Sequence, residues 1–174
     1  WMAGLAYLFT REYYTLARRR LAEGGVMCQW LQLYNIFPED VKLLLKTFHS
    51  VFPHVSAWTS VPGDLLLVGS VQPQRVTAAE LAARMAHPRV REGLATVHAD
   101  QLDQLLELFW MDTAGVEEVA ADVTWIHEDD QPLVEFSAPK ALYAGAGIFR
   151  MNYEGLGQFK RAPAALVEGY AAPV

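Results

Sequence analysis

The feature that most limits what this chain can fold into is a helix running through a double glycine into an apolar strand. Leu8-Phe-Thr-Arg-Glu-Tyr-Tyr14 and Ala17-Arg-Arg-Arg-Leu21 have helical spacing, with Tyr14, Ala17 and Leu21 on one face and Thr10 as the N-cap. Gly24-Gly25 ends the helix. A strand from about Gly25 to Leu31 follows, nearly all apolar, as expected of a central parallel strand covered on both faces. Together these make one αβ unit of a doubly wound sheet.

The next segments extend that pattern. Pro38-Glu-Asp40 opens a second helix, with proline in the first turn and two acids beside the positive dipole end. Val41, Leu44, Leu45, Phe48 and Phe52 then form a core-facing stripe. Pro53 stops this helix. His54-Val-Ser-Ala-Trp-Thr59 and Asp64-Leu-Leu-Leu-Val-Gly69 are expected to be two strands joined through Pro62-Gly63 as a hairpin or near-hairpin. Helices alternating with strands give the α/β class.

From Thr77 to about Val123 the spacing turns helical: Leu81 with Met85, then Leu102, Leu105, Leu106 and Phe109, then Val116, Val119 and Ala120. A short strand is expected from Leu133 to Phe136. After Pro139 the chain is rich in Gly and Ala without a sustained period, which predicts a loosely packed helix or tail. The division is therefore 1–72, 73–143 (helical, with a short strand) and a C-terminal tail, 144–174.

A length of 174 residues with 52% hydrophobic content suits one compact core. The net charge of −6 speaks against a nucleic-acid partner, and the only basic run, Arg18-Arg19-Arg20, complements the carbonyl end of a helix. Cys28 is the single cysteine, expected as a small buried thiol, so no internal disulfide is possible and a cytoplasmic location is the default. No window approaches a membrane span or a signal peptide. The chain opens on Trp1, as an excised piece of a longer protein would.

Self-contained chemistry is sparse. Gly145-Ala-Gly147 lacks the preceding strand of a phosphate loop. The five histidines form no ligand pairs, so no metal site is expected. His54 heads a strand and either faces a pocket or is structural. The acidic run Glu128-Asp-Asp130 has the composition to attract a polyamine or a divalent ion, but acids ahead of Pro132 are common turn formers.

Several pieces, in order, resemble the spermidine synthase-like (aminopropyltransferase) family: the Leu-Phe-Thr-Arg-Glu helix, the Gly-Gly-Val strand followed by Gln29 and Trp30, the Pro-Glu-Asp helix, Val51-Phe-Pro-His-Val55, Gly63-Asp-Leu-Leu-Leu-Val-Gly-Ser70, and Glu128-Asp-Asp-Gln-Pro-Leu-Val-Glu-Phe136. The resemblance runs from Trp1 to about Tyr143. It implies the C-terminal half of a Rossmann-like sheet of the S-adenosylmethionine-dependent methyltransferase type, with the last strand inserted beside the fifth, plus an added helical segment.

In that family an aminopropyl group passes from decarboxylated S-adenosylmethionine, a co-substrate, to putrescine or a related amine, a step of polyamine biosynthesis. The resemblance places the Gly-rich donor loop, the acid holding the donor ribose and the general base upstream of Trp1, so no catalytic residue or bound cofactor is expected in this chain, and alone it should be inactive. It implies an acceptor side with Gln29, Trp58 and Ser60, where Trp58 would cover the amine by cation–π contact. The alternatives are a methyltransferase on the same fold and a catalytically silent oligomerisation or regulatory domain. A sheet cut beside its first strand predicts self-association or pairing with the missing N-terminal half.

Overall fold

The computed structural model describes residues 4–59, 61–145 and 147–170. A short 3-10 helix, Leu5–Phe9, leads to Thr10, whose Oγ1 caps α1 (Arg11–Arg20) by accepting the Tyr13 N–H at 3.3 Å. Gly24 then takes a φ of +69°, and a Cβ on Gly25 would stand 2.9 Å from the Ala22 carbonyl oxygen. The double glycine is what lets the chain reverse from α1 into β1 (Val26–Gln32).

Helix α2 (Pro38–Val51) carries the chain over to β2 (His54–Trp58), and β3 (Asp64–Ser70) returns antiparallel to both strands. β3 therefore lies between β1 and β2, which run parallel to each other. The small strand β4 (Val76–Thr77) leads into α3 (Ala78–Met85), α4 (Pro88–Ala95) and α5 (Leu102–Glu107). β5 (Phe109–Met111) joins the outer edge of β2, giving the order β1-β3-β2-β5. Then come α6 (Thr113–Val119), α7 (Leu133–Ala141), α8 (Gly147–Gly157) and β6 (Val167–Glu168), which pairs in parallel with β4. The architecture is mixed α/β, and none of its described helices is long and apolar enough to cross a membrane.

The predicted stripe of α2 is the core. Val41, Leu44, Leu45, Phe48 and Phe52 are all buried, and Tyr14 of α1 meets Phe48 edge-on at 5.0 Å. Full burial of each such Leu or Phe side chain contributes about 1.5–3 kcal/mol. Leu65 and Leu67 of β3 face this layer, and at Gly69 a Cβ would lie 2.7 Å from both the Phe48 and Phe52 rings. The same core contains Trp110, Val116, Val134, Ala138 and Leu156 from the later helices and β5.

Five expectations need correction. β1 is not a central parallel strand covered on both faces: its described neighbour is the antiparallel β3, and Val26 and Trp30 are 53% and 43% exposed. Its continuous apolar run is suited to cover on both sides, but the side carrying Val26, Cys28 and Trp30 is left exposed. Cys28, on the open side, is exposed rather than buried, although partial burial pushes its thiol up. The helical spacing through Phe109 breaks at Leu108, because Phe109, Trp110 and Met111 are buried consecutively as an edge strand. Residues 133–136 are the start of α7 and not a strand, since Val134, Ala138 and Ala141 are buried at helical spacing that a four-residue window cannot show.

Nor is 144–174 a loose tail across its described part. α8 buries Ile148, Asn152 and Leu156 one turn apart against α2 and the loop after β1. The Asn152 side-chain amide donates to the Leu33 and Ile36 carbonyls at 2.9 and 2.8 Å, holding that loop. Asn152→Ala would leave both buried carbonyls without this donor, so we expect a loss of roughly 2–4 kcal/mol, read as a lower urea midpoint at unchanged slope.

Candidate functional site

Alternation along the strands decides where the sequence-derived site residues point. Gln29 pairs with Leu67, and Trp58 pairs with Leu66. Neighbouring residues of β3 project to opposite faces, so Gln29 stands on the side packed by α2 and Trp58 on the other side. The two do not converge. Gln29 is half-buried and donates its side-chain amide to the Trp30 carbonyl at 2.9 Å. Ser60 lies outside the described residues.

Trp58 sits where the β2–β5 pairing shifts register, a place at which a bulge re-aims side chains. Its ring packs edge-on against Phe109 at 5.2 Å. Its Nε1–H donates to Ser56 Oγ at 2.9 Å, and Ser56 donates in turn to Gln74 Oε1 at 2.7 Å. The Gln74 amide donates to the carbonyls of His54 and Val68 at 3.0 and 2.8 Å, which ties β2 to β3 on this outer face.

These groups wall a cavity of about 410 Å3 that Arg75, Arg84 and the β1 residue Val26 also line. Gln74, Arg75 and Arg84 were not signalled by the sequence, because the loop after β3 has no periodicity or motif and its residues meet Trp58 through tertiary structure alone. Among the described residues no carboxylate lines this cavity. Arg75 and Arg84, which line the same cavity as Trp58, disfavour a bare ammonium there. His54 lines a neighbouring depression with Asp112 and Thr113.

A larger groove, about 720 Å3, opens where α2 begins, between it and α7. Trp125 and Phe136 stand 62% and 69% exposed along it, and Lys42 on its wall is paired with Asp122 at 2.8 Å. At its base Asp40 is buried; its Oδ1 accepts from Ser137 Oγ at 2.7 Å, while Oδ2 is enclosed and has no hydrogen-bond partner. Burial raises the Asp40 pKa, and Glu39 adds to the rise; the Ser137 hydrogen bond and Lys140 oppose it. Because Oδ2 is enclosed, Asp40 serves the α2–α7 contact rather than the open groove.

The acidic run is also held structurally. Glu128 pairs with Arg11 at 2.5 Å, and Glu12 accepts the Asp129 N–H at 3.1 Å. Just before it His127 is fully buried, with Nε2 at 3.1 Å from the Ala6 carbonyl, and burial lowers its pKa. Among the described residues no group of three or more His, Cys, Asp or Glu is placed to hold a metal ion. No protein-family model, curated protein or solved structure matches this chain.

The Asp40 contact is testable through pH. A carboxyl whose pKa rises on folding holds its proton more tightly in the native state, so its contribution is favourable in acid and is lost as pH rises past the ordinary aspartate value. Ser137→Ala removes the bond that opposes this rise. It should cost about 2 kcal/mol at neutral pH, with the deficit shrinking as the pH falls through the raised Asp40 pKa, above the ordinary aspartate value, and levelling off in more acid solution. Urea melts of both proteins across that range measure it, and an equal deficit at every pH would show that the bond is not to a charged Asp40.

Proposed function

We propose that this chain is the C-terminal part of a spermidine synthase-like domain with a Rossmann-like, methyltransferase-type sheet. Within a longer protein, the domain would transfer an aminopropyl group from decarboxylated S-adenosylmethionine to an amine. One observation carries the proposal: β1 and β2 run parallel, α2 joins them, and β3 is inserted antiparallel between them. β2 and β3 are neighbours, as sequential strands usually are, but it is the return strand β3 and not β2 that lies beside β1, a particular way to finish a sheet. It is the finish that the family resemblance implies.

The outer edge of β1 supports the same proposal, since no described strand pairs with it. Its side chains carry neither charge nor proline, the devices that usually keep an edge strand from pairing. A parallel strand from an upstream half would complete the sheet there. The donor site would come with that half. In the reaction, the acceptor amine must lose a proton before its lone pair attacks the methylene next to the sulfonium, and the released product is methylthioadenosine.

A catalytically silent domain is the second possibility, and it is favoured by the divergence of Gln29 and Trp58 onto opposite faces. Methyl transfer from intact S-adenosylmethionine would use the same sheet. Assays on the chain joined to its native upstream sequence separate the three. We expect methylthioadenosine from decarboxylated S-adenosylmethionine and an amine. S-adenosylhomocysteine formed from the intact donor would instead assign a methyltransferase, and neither product would leave the silent domain. The 174-residue chain alone should show no nucleoside binding by calorimetry; micromolar affinity for methylthioadenosine would place the donor site within it.

A further inference from the structure

We propose that the cavity beside Trp58 binds a planar ligand bearing an anionic group, with the ring stacked on the indole and the anion held by Arg75 and Arg84. This goes beyond aminopropyl transfer and does not depend on it. The cavity is concave, about 410 Å3, and of a size for a small organic molecule. Its polar wall is internally satisfied: Trp58 Nε1 bonds Ser56, Ser56 bonds Gln74, and the Gln74 amide is used twice on strand carbonyls. These bonds fix the indole in place before any ligand arrives.

The donors left for a ligand are the guanidiniums of two exposed arginines. Among the described residues neither Arg75 nor Arg84 makes a side-chain hydrogen bond or ion pair, although both line the cavity. Glu80 lies one helical turn from Arg84 and feels its charge, but the Glu80 carboxylate already accepts from the Thr77 N–H and Oγ1–H at 3.0 and 2.8 Å. No described residue of the lining is an acid, and Arg75 and Arg84, both exposed, line the same cavity, so an anion bound in it gains from two positive charges. Arginine's planar fork suits a carboxylate, and the indole face suits a flat ring.

The test uses the 174-residue chain in low-salt buffer, with benzoate as probe and benzamide and benzylammonium as the neutral and cationic matches. The Trp58 indole N–H resonance, assigned with a Trp58→Phe sample, reports binding. Benzoate should shift it saturably and bind roughly tenfold or more tightly than either match. Arg75→Gln and Arg84→Gln are surface changes that leave the fold intact by circular dichroism, and the double variant should lose that preference. The proposal is overturned by the absence of a saturable benzoate shift, by benzamide or benzylammonium binding as well as benzoate, or by an unchanged benzoate affinity in the double variant.

Discussion

The Phe48 and Phe52 rings lie directly on the backbone of β3 at Gly69, and the rest of the molecule depends on that contact. Tyr14 packs edge-on against Phe48 from α1, and the two phenylalanine rings are 4.8 Å apart. One helix thus orients α1, the central strand and, through Val41 and Leu45, the approach of the later helices. The cost is a tyrosine hydroxyl buried with no hydrogen-bond partner among the described residues, whose pKa burial raises well above its ordinary value. The apolar gain around that ring exceeds the cost of one unmade hydrogen bond.

Directed polar bonds then attach distant segments to this apolar base. Thr47, inside α2, accepts the His127 N–H at 2.9 Å, and the His127 carbonyl accepts the Arg11 N–H at the same distance. Arg11 and Glu12 are bound to Glu128 and to the Asp129 N–H, so the Thr-Arg-Glu and Glu-Asp-Asp segments, far apart in the chain, are physical partners. The Thr47–His127 bond is buried, and such a bond specifies one arrangement because each group left unpaired would carry its full desolvation cost; the Arg11–Glu128 and Glu12–Asp129 contacts lie nearer the surface.

The outer face of the sheet is different in kind. Val26, Cys28 and Trp30 are exposed there, while Trp58 and Gln74 cover only the β2 side. Exposed apolar side chains on this face leave room for another segment or a ligand, and the two arginines of the covered part bias that ligand toward negative charge. The larger groove between α2 and α7 is lined by exposed aromatics, yet its one buried carboxylate is turned to the protein.

Local sequence determined the elements whose periodicity is long or whose punctuation is strong: the Thr10 cap, the double-glycine reversal, the α2 stripe opened by Pro38, and the β2–β3 hairpin. Each rests on interactions between residues near in the chain. Elements of a few residues were not legible, because a three-residue strand such as Phe109–Met111 exists through its partner across the sheet, and α7 shows its helical face only over Val134 to Ala141. Gln29 and Trp58 are both plain in the sequence, but their separation onto opposite faces follows from strand register, which local spacing does not encode. The cavity is equally a product of tertiary structure: the loop carrying Gln74 and Arg75, and Arg84 on α3, reach Trp58 only because β2 and β3 pair and the chain folds back over them.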